Sequence, residues 1–491
     1  MLKRFLCLLS LCFVLLMTSC AAGMGGYDYY NGEAALDENG EAYIEIDERG
    51  YQDPKNNPLS SFSLDSSSYA YSNIRRLINN NSYISKDAVV IEEMLNYFNY
   101  SYENNTENAL ATTLELARCP YNEKNHLALI SVNSKDIEIP NMKNNFVFLI
   151  DTSGSMNSDN KLGLFQESFK LLVNAVDEND TVSIVTYANG VRVVAEGVNG
   201  GNKAELVRMV DSLVASGSTN GSGGIQKAYD IASKYFIDGG NNRVLLATDG
   251  DFNVGITTTG GLNDFISSKR KTGIYLSVFG FGMGNTQHDK MNTLAQKGNG
   301  NAYYIDSLLE AKRVFVEELG STLNTVAKDS KIQVEFNPNN VVKYRLLGYE
   351  NSMLTNDQFE DENTDAGEIG AGHTTIAMYE IELKPELVNE YILKTKLRYK
   401  EPSDDTPKEI ENELSQISLI PSNDFVFAAT VVEFALILRD SVYKGNSSYE
   451  HILEILNDVS LLDDEYKLEF KSIVEKAQRI ASLNEMYNDY Y

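Results

Sequence analysis

The sequence predicts an α/β fold: a doubly wound, mostly parallel sheet inserted into a β-rich flanking domain, with N-terminal and C-terminal helices. Three observations carry that reading. Between about Asn144 and Leu323, four short apolar runs alternate with amphipathic helical stripes. Strand-like runs stand on both sides of that stretch, and helical spacing of apolar residues marks the segments beyond them. At 491 residues the chain also exceeds one ordinary core, since a domain takes roughly 100 to 200 residues.

The first residues read as a leader. Lys3 and Arg4 precede an apolar run from Phe5 to Met17, followed by Thr18, Ser19 and Cys20. That run is too short to span a bilayer, which takes about 20 apolar residues in a helix. Leu16-Met17-Thr18-Ser19-Cys20 resembles a bacterial lipobox, in which the Cys is acylated and becomes the first residue of the mature chain. Residues 1–19 are therefore expected to be a lipoprotein signal peptide, with Cys20 the lipidation site. Residues 20–62, rich in Gly, Tyr, Asn and acids, read as a flexible acidic tether.

A flanking segment over 63–140 follows. Ile74, Leu77 and Ile78, then Val90, Ile91, Met94, Leu95 and Phe98, recur at three- and four-residue spacings and predict two amphipathic helices. Extended runs around Leu114 and from His126 to Val132 predict a strand pair. The domain placed at 141–325 has apolar runs at Phe146 to Ile150, Val182 to Tyr187, Val244 to Ala247 and Tyr275 to Phe279. Apolar on both faces, they predict parallel strands covered by helices on each side. Helical stripes at Leu162 to Val176, Leu206 to Leu213, Ile225 to Phe236, Leu262 to Lys271 and Leu308 to Leu323 supply the cover. Over 326–491, strands are predicted at Lys331 to Phe336, Val342 to Gly348, Thr374 to Leu383 and Tyr391 to Tyr399. Acidic loops are expected at Glu360 to Asp365 and Pro402 to Glu413, and three closing helices at Phe425 to Ser441, Tyr449 to Val459 and Glu465 to Asn484.

Composition removes several function classes. Lys plus Arg number 42 against 70 Asp plus Glu, a net charge of −28 that repels nucleic-acid backbones, so no nucleic acid is expected as a partner. Four His and four Cys, the latter at positions 7, 12, 20 and 119, supply neither a zinc cage nor a disulfide framework. Cys119 reads as a buried small hydrophobe.

One constellation carries chemistry. Asp151-Thr152-Ser153-Gly154-Ser155 ends the first apolar run, Gly217-Ser218-Thr219-Asn220 follows the second stripe, and Thr248-Asp249-Gly250 ends the third run. In a doubly wound sheet these loops share one edge, the edge where such folds bind ligands. Two carboxylates and three hydroxyls are hard donors suited to Mg²⁺ or Mn²⁺. The arrangement closely resembles the metal-ion-dependent adhesion site of the von Willebrand factor A domain. That resemblance implies metal ligation through Ser153, Ser155 and Thr219, with Asp151 and Asp249 acting chiefly through water. It also implies a protein partner that completes the coordination with an acidic side chain.

The likeness extends outward. Tyr71 to Arg76, Glu92 to Phe98, Tyr344 to Asn351 and Asp365 to His373 resemble the flanks of a bacterial lipoprotein family with a von Willebrand factor A domain at its centre. Other signatures fail. Gly280-Phe281-Gly282-Met283-Gly284 lacks the last glycine of a dinucleotide loop and reads as a turn. Ser153 stands where a D-x-D phosphatase needs its second acid. His126, His288 and His373 have no Ser or Cys to complete a triad.

The expected function is recognition of a protein partner through a bound divalent cation, by an exported protein lipid-anchored to the membrane of a bacterial cell envelope and without enzymatic activity. Two rivals stand beside it: an envelope scaffold or assembly protein with an incidental metal site, and a hydrolase using the metal to activate water.

Overall fold

A computed structural model describes residues 41–488, except 42, 65–66, 136–142, 219–221, 251–258, 283–287, 319–324, 403 and 462–463. The leader, Cys20 and Thr219 lie outside the described residues.

The N-terminal flank comprises β1 (Leu59–Ser63), α1 (Tyr69–Asn79), α2 (Ile91–Leu95), β2 (Leu110–Arg118) and β3 (His126–Ser134). The inserted domain begins with β4 (Asn144–Asp151), α3 (Leu164–Ala175), β5 (Thr181–Tyr187), β6 (Val191–Asn199), α4 (Lys203–Asp211) and α5 (Ser222–Lys234). It continues through β7 (Asn241–Thr248), α6 (Thr259–Arg270), β8 (Ile274–Phe281), α7 (His288–Lys297), β9 (Ala302–Ile305) and α8 (Leu308–Lys312). Beyond it come β10 (Thr325–Phe336), β11 (Val341–Leu347), β12 (Met353–Leu354), α9 (Asn356–Glu360), β13 (Gly367–Gly370), β14 (Thr374–Leu383), β15 (Leu393–Glu401) and β16 (Asp404–Leu414). Helices α10 (Asn423–Leu438), α11 (Tyr449–Ile455) and α12 (Glu465–Asn488) close the chain.

Strand order in the inserted domain is β6-β5-β4-β7-β8-β9, parallel except for the antiparallel edge pair β5 and β6. Alternate residues of β4 feed different cores: Phe146, Phe148 and Ile150 pack with α3 and α4, whereas Val147 and Leu149 pack with α5 and α6. Helices on both faces thus explain why these strands are continuously apolar.

Two further sheets, β12-β1-β10-β15-β16 with β13 against β10, and β11-β14-β3-β2, bury one shared core that includes Phe62, Leu116, Ile130, Val334, Tyr379 and Leu397. Strand β3 precedes the inserted domain and β14 follows it, yet they pair from His126↔Ile381 to Asn133↔Thr374. The α/β domain is therefore an insertion in a β domain, as expected. A third core joins α1 and α2 to α10, α11 and α12, with Phe98, Phe427, Phe434 and Phe470 in edge-to-face contact.

The structure corrects three expectations. The tether assigned to 20–62 does not extend through that range, because Tyr43 and Ile46 are buried and β1 pairs with β10. Its acids are not all solvating: Glu41 accepts from Arg76 at 2.7 Å and Glu48 from Arg345 at 3.0 Å. The acidic loop at 402–413 is largely strand β16. Its residues face Lys394, Lys396 and Arg398 of β15, so cross-strand charge stabilises a strand that has no apolar alternation to reveal it. Finally, the helix expected from Leu308 to Leu323 is α8 followed by a π-helical turn at Arg313–Glu318, with 319–323 outside the described residues. Strands β6 and β9 and helix α7 were not anticipated.

The flank motifs have structural duties. Arg75 on α1 bonds Asp306, Glu310 and the Tyr97 hydroxyl, and Arg313 bonds Glu310 at 2.6 Å. Asn96 donates to the Tyr349 hydroxyl and accepts from the Ile376 amide, tying α2 to the β domain. These side chains hold three layers together from buried positions.

Candidate metal centre

Strand β4 is flanked by β5 and β7, so its carboxyl end lies at the middle of the sheet edge. Asp151 is its last residue and is wholly buried. Oδ1 accepts the Ser153 amide at 2.7 Å, which turns the chain back over the strand end, while Oδ2 is buried without a hydrogen-bond partner among the described residues. Burial raises the Asp151 pKa to about 6; the Ser153 hydrogen bonds oppose that shift and the nearby Asp249 charge adds to it.

Ser153 is buried, precedes a short 3₁₀ turn at Gly154–Met156, and places Oγ 2.9 Å from Ser155 Oγ. Ser155 is exposed, so the pair runs from the buried carboxylate to solvent.

The second loop is laid directly against the first. Ser216 donates its amide to the Thr152 carbonyl at 2.8 Å, and Gly154 donates to the Gly217 carbonyl at 2.9 Å. Gly217 has φ +85°, and a Cβ there would fall 2.2 Å from Asn189 Nδ2. Asn189 Oδ1 in turn accepts both the amide and the hydroxyl of Ser218, at 2.8 and 3.0 Å. The chain is thus pinned one residue before Thr219, whose own position is not among those described.

The third loop leaves β7. Gly250 has φ +103° and donates its amide to Thr248 Oγ1, a turn that leaves Asp249 buried at the strand end. Asp249 Oδ1 is buried with no partner among the described residues; Oδ2 accepts from Lys161 Nζ at 2.8 Å.

The structure thus brings Asp151, Ser153, Ser155 and Asp249 to one sheet edge. No group of three or more His, Cys, Asp or Glu able to hold a metal occurs among the described residues. Among the described residues the donors at this edge are two carboxylates and neighbouring hydroxyls, and not a carboxylate cage or a thiolate site. Buried carboxylate oxygens without partners are costly unless something cationic or protic completes them, and a hard divalent ion fits this set. Ser153 and Ser155 would hold it directly, with Asp151 and Asp249 behind them. When bound, such an ion supplies a Lewis-acidic position open to an anionic oxygen.

Sequence reasoning missed Lys161 and Asn189. The signal for Lys161 was a cation leading into α3, where the helix macrodipole disfavours positive charge. Asn189 carried none, because it sits in a tight turn between β5 and β6.

Comparison with known proteins gives the family of the chain. The model for the von Willebrand factor type A domain matches residues 145–317, one for von Willebrand factor matches 37–129, and one for the C-terminal part of the uncharacterized protein YfbK matches 321–480. The chain is 37% identical over 471 residues to the uncharacterized protein YfbK of Escherichia coli (strain K12), a match covering 90% of this chain and 82% of that protein. Among solved structures, a von Willebrand factor type A protein from Catenulispora acidiphila aligns over 74% of this chain and 90% of its own at 13% identity and TM-score 0.41. The ArnB paralog VWA2 from Sulfolobus acidocaldarius aligns over 76% and 98% at 15% identity and TM-score 0.35. The chain belongs to the YfbK family, with a von Willebrand factor type A domain between its N-terminal and C-terminal segments.

Proposed function

We propose that this chain is an exported binding protein, anchored in the bacterial cell envelope through an acylated Cys20, that recognises a protein partner through a divalent cation. The observation that carries the reading is the pair Asp151 and Asp249. Each is buried at the end of a neighbouring strand, and each presents an oxygen with no partner among the described residues, beside the hydroxyls of Ser153 and Ser155. Mg²⁺ or Mn²⁺ would take Ser153, Ser155 and Thr219 directly and the carboxylates through water. Neutral hydroxyl ligands leave much of the dication's charge exposed, so an acidic side chain of the partner completes the site. In this reading the role is binding and not catalysis, because the two carboxylates beside the hydroxyl pair are taken up by the ion and are not left to act as a general base.

Titration calorimetry of the full chain with Mg²⁺ and Mn²⁺ tests this reading. Wild type should bind one ion, and Asp151→Ala should lose binding while remaining folded, because strand burial forms the core. Pull-down from envelope extracts should then depend on Mg²⁺ and fail in EDTA. Wild-type protein that binds neither ion at millimolar concentration overturns the reading, and a partner retained in EDTA favours the scaffold role.

A further inference from the structure

We infer that Lys161 is a built-in counter-cation of this centre, which holds Asp249 electrostatically and sets how tightly a divalent ion binds. The inference rests on the metal-dependent reading above and adds a residue which that reading does not use.

Lys161 Nζ lies 2.8 Å from Asp249 Oδ2, with the two side chains 12% and 0% exposed. Space for the lysine is made elsewhere. Gly282 has φ +87°, and a Cβ on it would sit 2.3 Å from Lys161 Cε and 2.5 Å from Cγ. The Tyr304 hydroxyl donates to the Gly282 carbonyl and fixes that residue, so the missing side chain of Gly282 is what leaves room for the lysine stem. At the other end, the Lys161 amide donates to the Ser158 carbonyl, setting the lysine at the entry to α3. Charge at a helix entry is expected to be negative. Pairing with Asp249 opposes that unfavourable placement.

The charge count gives the consequence. Asp151 and Asp249 carry two negative charges and Lys161 one positive, so an arriving dication meets a centre of net −1 and leaves it at net +1. Without Lys161 the same centre would pass from −2 to neutral. The ammonium therefore weakens ion binding by repulsion within a partly desolvated site, where charges are poorly screened. It also leaves the loaded centre positive, which suits an acidic ligand.

Mg²⁺ titration of full-length wild type, Lys161→Met and Lys161→Arg, followed by calorimetry and by melting temperature with and without EDTA, tests the inference. Lys161→Met keeps the stem and removes the charge, and its Kd for Mg²⁺ should fall about tenfold or more. It should also melt lower than wild type in EDTA and show a larger rise with Mg²⁺. Lys161→Arg should stay near wild type. If Lys161→Met does not fold, Lys161→Gln, which retains a donor toward Asp249, should tighten Mg²⁺ in the same way. Unchanged or weaker binding in the uncharged variants, with wild type binding normally, overturns the role of Lys161 and leaves the metal reading intact. Absence of binding in every variant and in wild type overturns both.

Discussion

Arg75 Nη2 lies 2.8 Å from Glu310 Oε2, and the two side chains are only 3% and 1% exposed. One belongs to the N-terminal flank and the other to the last helix of the inserted domain. Burial opposes the charge on Glu310, yet Arg313 and Arg75 together hold its carboxyl below the usual range. Removing one member of such a network leaves the other charges buried and uncompensated. Arg75→Met should therefore cost about 3 to 5 kcal/mol, read from the urea midpoint of the full chain. Arg75→Lys should recover part of that, since an ammonium keeps the charge but not the fork that reaches Asp306, Glu310 and Tyr97 at once. A midpoint unchanged in Arg75→Met would show that the junction is not stabilised through this pair.

Glu368 gives a pH dependence with a definite sign. Burial, reinforced by Asp329 and Asp365, pushes its carboxyl up to about 8 from the ordinary 4.5. A raised folded-state value means that the native protein keeps a proton which the unfolded chain releases. The associated stability is full below the ordinary carboxylate range and is lost as pH rises toward about 8. Glu368→Gln, whose carboxamide oxygen can still accept from Asn299, should flatten that decline and melt higher than wild type at pH 8. Because Glu368 is partly exposed, the gain should be about 1 kcal/mol. Melting curves from pH 5 to pH 8.5 decide it; parallel profiles for the two proteins would refute the assignment.

Gly217→Ala tests the loop architecture at the metal centre. A methyl there meets Asn189 at 2.2 Å, in a backbone conformation that L side chains resist. The substitution should unhook Ser218 from Asn189 and displace the neighbouring Thr219 loop, at a cost of about 1 to 3 kcal/mol. Mg²⁺ affinity should fall while the parallel sheet stays intact by circular dichroism. Wild-type affinity in this variant would mean that the second loop contributes no ligand.

Lipidation is tested apart from the fold. Mass spectrometry of the mature N-terminus should find an acylated Cys20, and Cys20→Ala should leave the membrane fraction. No described helix is long and apolar enough to cross a membrane. A mature chain beginning elsewhere, with Cys20 unmodified, would overturn the anchor.

What could be read from the sequence divides along physical lines. β4, β5, β7 and β8 were legible because burial on both faces writes a continuous apolar run, and Asp151 and Asp249 because each terminates one. β16 was not, since an exposed edge strand held by Glu–Lys pairs carries no apolar period. Lys161 escaped because its partner lies 88 positions away, and Arg75 because Asp306 lies 231 positions away. Local spacing cannot report such pairs. Tyr43 and Glu41 show the converse limit, as residues of coil-like composition that are nonetheless buried.

The insertion makes the last prediction. All strands of the parallel sheet lie between Asn144 and Ile305, and among the described residues its two cores are drawn from Phe146 to Phe315 apart from Tyr69. A fragment spanning 144–323 should therefore fold alone and melt cooperatively. A fragment spanning 41–134 should not, because β1 needs β10 and β3 needs β14, while α1 and α2 lose the partners that cover them on α10 and α12. Mixing 41–134 with 325–491 should restore cooperative melting, since together they supply every strand of both β sheets. Circular dichroism of each fragment and of the mixture provides the measurement. A cooperatively folded 41–134 fragment would mean that the two halves are separate domains that merely touch, and the eight-residue register between β3 and β14 would then be a docking contact and not a shared sheet.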